Sequence, residues 1–107
     1  VAGIQRLAIY DQTTLTAFGS GNTAYTSTGD YLVSVIATNT AATDAEIYVT
    51  LKTSTGSETA GALIAHKLPL PAYNSYETYR FGVNNTDSVV VAGSAGIRFF
   101  VQGIEQA

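Results

Sequence analysis

Apolar and polar residues alternate along most of this chain, most densely between residues 31 and 53. In the run 31–39, Tyr31, Val33, Val35 and Ala37 fall on one side of an extended segment, and Leu32, Ser34, Ile36 and Thr38 on the other. Both sides are largely apolar, which places this strand near the centre of a sheet. A Thr40-Ala41-Ala42-Thr43 link follows. In 46–52 the period of two is cleaner: Ile47, Val49 and Leu51 are expected inward, and Glu46, Tyr48, Thr50 and Lys52 outward. A slip of one residue would bury Glu46 and Lys52, so the register is strongly specified.

The flanking segments extend the same pattern. Residues 3–10 read as a first strand with Ile4, Leu7 and Ile9 as its apolar members, and Asp11-Gln12 as a turn. Residues 13–18 are β-prone, 19–22 form a flexible Gly-Ser-Gly-Asn loop, 23–26 a short edge segment, and 27–30 another turn. A turn is expected over 54–57. In 59–68, Ala60, Leu63, Ile64 and Lys67 also lie at helical spacing, and the alanines favour helix. Strand is preferred there because Pro69 and Pro71 close the segment and its neighbours are strands. Residues 70–74 form a proline-punctuated loop. Over 75–82, Tyr76 and Tyr79 fall on opposite faces, so one is expected inside and the other outward. Asn84-Asn85 makes a turn, and 88–92 and 97–104 are expected to form a hairpin across Gly93-Ser94-Ala95-Gly96. About eight short strands at this spacing predict an all-β fold: an antiparallel β-sandwich, jelly-roll-like, as a single domain over residues 1–107.

Composition narrows the partners. Hydrophobic residues make up 46% of the 107, enough for one core, and charged residues only 12%. The net charge is −3, and the five cations, Arg6, Lys52, Lys67, Arg80 and Arg98, are scattered one per segment. A phosphate-binding surface needs them clustered, so no nucleic-acid partner is expected. No run approaches the ~18 apolar residues of a membrane helix and the first residues lack a secretory pattern, so a soluble chain and no membrane partner are expected. Cysteine is absent, which excludes disulfides and thiol chemistry. The start at Val1 implies removal of an initiator Met or trimming.

Chemical apparatus is sparse. His66 is the single histidine and no Gly-x-Ser-x-Gly elbow occurs, so no nucleophilic catalysis is expected. One His and no Cys cannot make a zinc site, and Asp44 and Glu46 read as solvated acids at a strand start rather than calcium ligands. Glu58, Glu77, Asp87 and Glu105 could serve glycoside hydrolysis only if two faced each other across a cleft. No catalytic, cofactor-binding or metal residue is therefore assigned, and no enzyme activity is expected. Asn84-Asn85-Thr86 fits the glycosylation tripeptide but is also ordinary turn chemistry. Tyr73, Asn74, Tyr76 and Tyr79 cluster in sequence. An exposed Tyr among them can stack on a sugar or anchor a protein contact.

Several pieces in order carry a resemblance: Asn22-Thr23-Ala24-Tyr25-Thr26, the run from Tyr31 to Asn39-Thr40, Ala45-Glu46-Ile47-Tyr48-Val49, Leu68-Pro69-Leu70-Pro71-Ala72-Tyr73-Asn74-Ser75, and Ile97-Arg98-Phe99-Phe100-Val101. Over residues 22–104 the chain resembles a group of small tailed-phage virion proteins. Those have a segment like Tyr-Thr-x-Pro, a strand ending in Asn-Thr, a Pro-Ile-Pro-Ala-Asn-Asp loop and a closing Ile-Arg-Val-x-Ala strand. The chain departs from them in two loops, with Ser27-Thr28-Gly29-Asp30 for Pro-Ala-Gly and Tyr73-Asn74-Ser75 for Asn-Asp.

The resemblance implies a capsid decoration (cement) subunit or a tail, baseplate or fibre-associated structural protein, located in the virion and assembled in the host cytoplasm. Its implied partners are the major capsid protein or other virion proteins, and further copies of itself as a homotrimer. A carbohydrate-binding sandwich is the alternative. Residues 1–10 are the candidate arm or edge strand, able to pair with a neighbour by strand addition. The candidate interface residues are Ile4, Leu7, Ile9, Tyr73 and Tyr76.

Overall fold

The period-two pattern is realised as strands. The computed structural model describes residues 3–106, and among these there are nine strands and no helix. In chain order they are β1 (Gln5–Gln12), β2 (Asn22–Thr26), β3 (Tyr31–Asn39), β4 (Ala45–Lys52), β5 (Ala62–Leu70), β6 (Ser75–Glu77), β7 (Phe81–Val83), β8 (Ser88–Gly93) and β9 (Ile97–Glu105). The first two residues of the candidate arm, Val1 and Ala2, lie outside the described residues. All pairings are antiparallel. Sheet A runs β1-β9-β3-β6, with β7 also on β3, and sheet B runs β2-β8-β4-β5. Every connection except β4–β5 and β6–β7 crosses between the sheets.

The two inner faces form one β-sandwich core. Val33, Val35, Phe99 and Val101 of sheet A meet Ile47, Val49, Val89 and Val91 of sheet B, all with 0% exposure. Each such side chain contributes about 1.5–3 kcal/mol by leaving water, the main term holding the sheets together. As expected, β3 is central, flanked by β9 on one side and by β6 and β7 on the other. At its end Asn39 is buried. Its Nδ2 donates to Thr43 O at 2.8 Å and Leu70 O at 3.1 Å, while its Oδ1 accepts from Ala41 N at 2.9 Å. One amide thereby ties the β3–β4 connection to the end of β5.

Several expectations are corrected. Residues 88–92 and 97–104 do not form a hairpin, because β8 lies in sheet B between β2 and β4, and β9 in sheet A between β1 and β3. The small-residue link instead turns a corner across the sandwich, with Gly93 and Gly96 at φ of +116° and +82°. Asp11 and Gln12 continue β1 rather than turning: Gln12 is buried, and its Nε2 donates to Gly93 O and Ser94 O at 2.9 and 2.8 Å.

Residues 13–18 form no strand, only a two-bond bridge between Thr16 and Gly93. The helical spacing in 59–68 is overridden and β5 is a strand, but it runs through Pro69. The missing N–H costs no ladder bond because β5 is an edge. The run 75–82 splits into two strands. Thr78 leaves the ladder, its N–H donating to Val35 O and its Oγ1 accepting from Val35 N, at 2.9 and 3.0 Å. That split makes nine strands where about eight were expected.

Candidate functional site

Alternation builds an outer face on sheet A in which Ile4 and Ile9 are exposed, Leu32, Ile36, Phe100 and Ile104 are half-buried, and Ser34 is buried. On β9, Arg98, Phe100, Gln102 and Ile104 point outward between the buried Ile97, Phe99, Val101 and Gly103. Register then sorts the face into rows. Ile9, Phe100, Ile36 and Glu77 lie side by side across four strands, and Ile104, Leu32 and Gly82 across three. Between these apolar rows runs a polar one, Arg6, Gln102 and Ser34, and at the sheet end Asp11, Arg98, Thr38 and Ser75.

Apart from Arg6, the polar rows bond within themselves. Ser34 Oγ donates to Glu77 Oε2 at 3.2 Å, Gln102 Nε2 donates to Ser34 Oγ at 3.1 Å, and Arg98 Nε donates to Asp11 Oδ1 at 2.6 Å. The Asp11 carboxylate, by this bond and its charge, raises the Arg98 pKa further above its ordinary value. The apolar rows have no such internal partner.

The sequence-predicted interface residues divide. Ile4 and Ile9 are 58% and 56% exposed on this face, and Ile4 shares a small depression with Leu32, Arg80, Gln102 and Ile104. Leu7 sits at the bulge of β1 between Arg6 and Ala8 and turns toward the core, its Cδ1 close over Gly103. Tyr76 on β6 is half-buried against the core, and Tyr79 is exposed in the break between β6 and β7. Tyr73 is 70% exposed on the β5–β6 loop at a φ of 59°, on a loop rather than in the outer-face rows. Sequence reasoning missed Leu32, Ile36, Phe100 and Ile104. The signal was the apolar second side of residues 31–39, read as central burial rather than as a half-buried outer face.

The outer face of sheet B is clothed by the chain itself. Val90, Ala92 and Thr50 point away from the core yet are 4%, 0% and 1% exposed, so Thr50 is not the solvent-facing residue expected. The connections 13–21 and 53–61 lie over them. Gly21 comes within contact of Val90, Gly61 rests on Leu51 and Thr50, and Glu58 Oε1 accepts from Gly21 N at 2.8 Å. At one end of this cover Phe18 stacks on Tyr48, with ring centroids 5.5 Å apart, and His66 meets both rings edge-on.

Beside these rings a cleft of about 500 Å³ is lined by Leu15, Thr16, Phe18, Glu46, Tyr48 and Ser94. Tyr48 Oη donates to Glu46 Oε1 at 3.0 Å. Burial and then this carboxylate raise the Tyr48 pKa.

The candidate acids are spread out. Glu58 lies in the β4–β5 connection, Glu77 on β6, Asp87 before β8 and Glu105 on β9. Asp44 Oδ1 accepts from Ala72 N at 3.2 Å, joining the β3–β4 connection to the β5–β6 loop, and Asp87 Oδ2 accepts from Asn84 N at 3.0 Å within one turn. Among the described residues no group of three His, Cys, Asp or Glu is placed to hold a metal.

No protein-family model matches the chain, and no curated protein matches it. Solved structures share the fold. A chain of infectious bursal disease virus, Gx strain, superposes with a TM-score of 0.50 at 9% identity, covering 99% of this chain and 37% of that one. The CBM22-1–GH10 modules of xylanase 10B from Clostridium thermocellum, solved with xylohexaose, superpose with a TM-score of 0.42 at 12% identity, covering 99% and 25%. The chain thus spans well under half the length of either.

Proposed function

We propose that this protein is a non-enzymatic structural subunit of a virus particle, a capsid decoration (cement) protein of a tailed phage, that acts through the outer face of sheet A. The observation that carries this reading is the pair of apolar rows on that face, Ile9-Phe100-Ile36 and Ile104-Leu32, in which Ile9 is exposed and the others half-buried, beside the hydrogen-bonded Ser34, Gln102 and Glu77. A partly apolar sheet face suits burial against a partner protein better than it suits chemistry. The wrapping is read as a jelly roll, since β1-β9-β3-β6 faces β2-β8-β4-β5 with crossing connections. The fold likeness to a chain of a virus structure, and the phage-protein resemblance of residues 22–104, point the same way.

Density-gradient fractionation of lysates from cells producing the virus tests this. Peptides of the chain are expected in the particle fraction, and Phe100→Asp, folded by circular dichroism, should shift the protein to the soluble fraction. Wild-type protein that stays soluble would sink the reading.

A second reading, carbohydrate binding, is favoured by one observation: the cleft in which aromatic rings stand beside the Glu46 carboxylate. It moves the sugar site from Tyr73 and Tyr76 to Tyr48. Glycan-array binding lost in Tyr48→Ala but kept in Tyr73→Ala would support it.

A further inference from the structure

We infer that β1 is a docking edge for a second copy of this chain, the two β1 strands pairing antiparallel about a two-fold axis at Ile9. Among the described residues β1 pairs with β9 alone, so its other edge offers unpaired backbone groups. The remaining edges are poorer templates. The strand β2 has five residues, β5 carries Pro69 and a left-handed Lys67 (φ 52°), and β6 and β7 have three residues each. The eight residues of β1 contain no proline.

Charge and register select the partner. Asp11, Ile9 and Arg6 oppose Arg98, Phe100 and Gln102 of β9, so all three project to the outer face. In an unbroken strand Arg6 and Asp11, five residues apart, would face opposite sides. The bulge at Leu7 removes one ladder position. Arg6 therefore stands two positions from Ile9 in one direction, and Asp11 two positions in the other.

A two-fold axis at Ile9 then sets Arg6 of each copy against Asp11 of the other, Ile9 against Ile9, and, on the inner side, Ala8 against Tyr10. Arg98 engages only Oδ1 of Asp11, which leaves Oδ2 for the arriving guanidinium. Centring the pair on Ala8 would put Ile9 against Arg6, and centring it on Tyr10 would put Ile9 against Asp11. Only one in-phase register joins opposite charges and apolar side chains to their like. The edge is self-complementary, as a two-fold contact requires.

Pairing makes sheet A continuous across two copies, and the apolar row becomes Ile36-Phe100-Ile9 followed by its mirror image. The inference goes beyond the proposed virion role and does not depend on it, since its test involves no particle.

The chain has no cysteine, so single-cysteine variants report register cleanly. Opposed residues of an antiparallel pair lie about 4.5–5.5 Å apart at Cα, within disulfide range. Under mild oxidation Ile9→Cys should form a covalent dimer of the 11.2 kDa chain at least about tenfold faster than the more exposed Leu15→Cys or than Arg6→Cys. Arg6→Cys mixed with Asp11→Cys should form the heterodimer. Sedimentation equilibrium of the unmodified chain should rise toward two copies, and Arg6→Asp should weaken that association by about tenfold or more. Ile9→Cys cross-linking no faster than Leu15→Cys, a monomer up to about 1 mM, or a three-copy mass would each overturn the pairing. None of these outcomes bears on particle association.

Discussion

On the outer face of sheet B, Val90 and Ala92 are sealed to 4% and 0% exposure, whereas on the outer face of sheet A Ile9 stays 56% exposed. Both faces come from strands with the same alternation, and both carry apolar outward positions. The difference lies in the connections. Residues 13–21 and 53–61 fold back over sheet B and are pinned to each other by the Glu58–Gly21 hydrogen bond, while on the outer face of sheet A the apolar Leu32, Ile36, Phe100 and Ile104 are only half-buried. An apolar side chain under such a cover is core, and the same side chain without one stays available for contact. The comparison teaches that outward apolar residues acquire their role from what the chain lays on them.

The largest effect should come from charging each face in turn. Val90→Asp strands a carboxylate beneath the sheet B cover and should cost about 3 kcal/mol or more in urea unfolding, while Ile9→Asp, compared at concentrations dilute enough to keep the chain monomeric, should stay within about 0.5 kcal/mol. Equal costs would break the comparison.

Glycine substitutions sharpen it at a smaller scale. A Cβ at Gly61 would press on Leu51 O and Thr50 Cγ2, so Gly61→Ala should cost about 1–3 kcal/mol. At Gly82, on the outer face of sheet A beside Leu32, a Cβ meets nothing within 4 Å, and Gly82→Ala should be neutral or stabilising by up to about 1 kcal/mol. Thermal or urea midpoints of the two variants moving together would contradict the assignment of cover.

The smallest effect is in titration. Burial, then the Glu46 bond, keep the Tyr48 phenol neutral beyond its ordinary value of 10.0, and burial, then Glu105 and Tyr25, do the same for Tyr31. The folded chain therefore holds these protons longer than the unfolded chain. Their stabilisation is complete below pH 10 and is lost as pH rises through the raised folded values. Ultraviolet titration should show a late-ionising component among the seven tyrosines, reduced in Tyr48→Phe on the covered side and in Tyr31→Phe. A single ordinary step would refute it.

Much of the fold could be read in advance because strand patterning is local. The inward Val33, Val35, Ile47 and Val49 and the turn over 54–57 follow from alternation and turn chemistry, whereas Tyr79 is exposed because the run 75–82 breaks at 78–80. The site was legible only in part. Ile4 and Ile9 lie exposed on the outer face of sheet A, but Leu7 was displaced inward by a bulge that no residue type announces, and Tyr76 by its place on the inner side of β6.

Asp11-Gln12 was misread as a turn because its partners, Arg98 for Asp11 and Gly93 with Ser94 for Gln12, lie more than eighty residues away. The β8–β9 link was misread as a hairpin because four small residues suit a corner as well as a turn.

By itself, then, the order of residues determined which segments become strands and which side of each is apolar, since side-chain direction in an extended chain reverses at every residue. Tertiary structure alone decided that β8 and β9 enter opposite sheets, that the 13–21 and 53–61 segments land on sheet B, and that sheet A keeps a half-buried outer face and a free edge. Those outcomes depend on pairings between distant residues, such as Gln12 with Gly93, and no local pattern encodes where a long connection comes to rest.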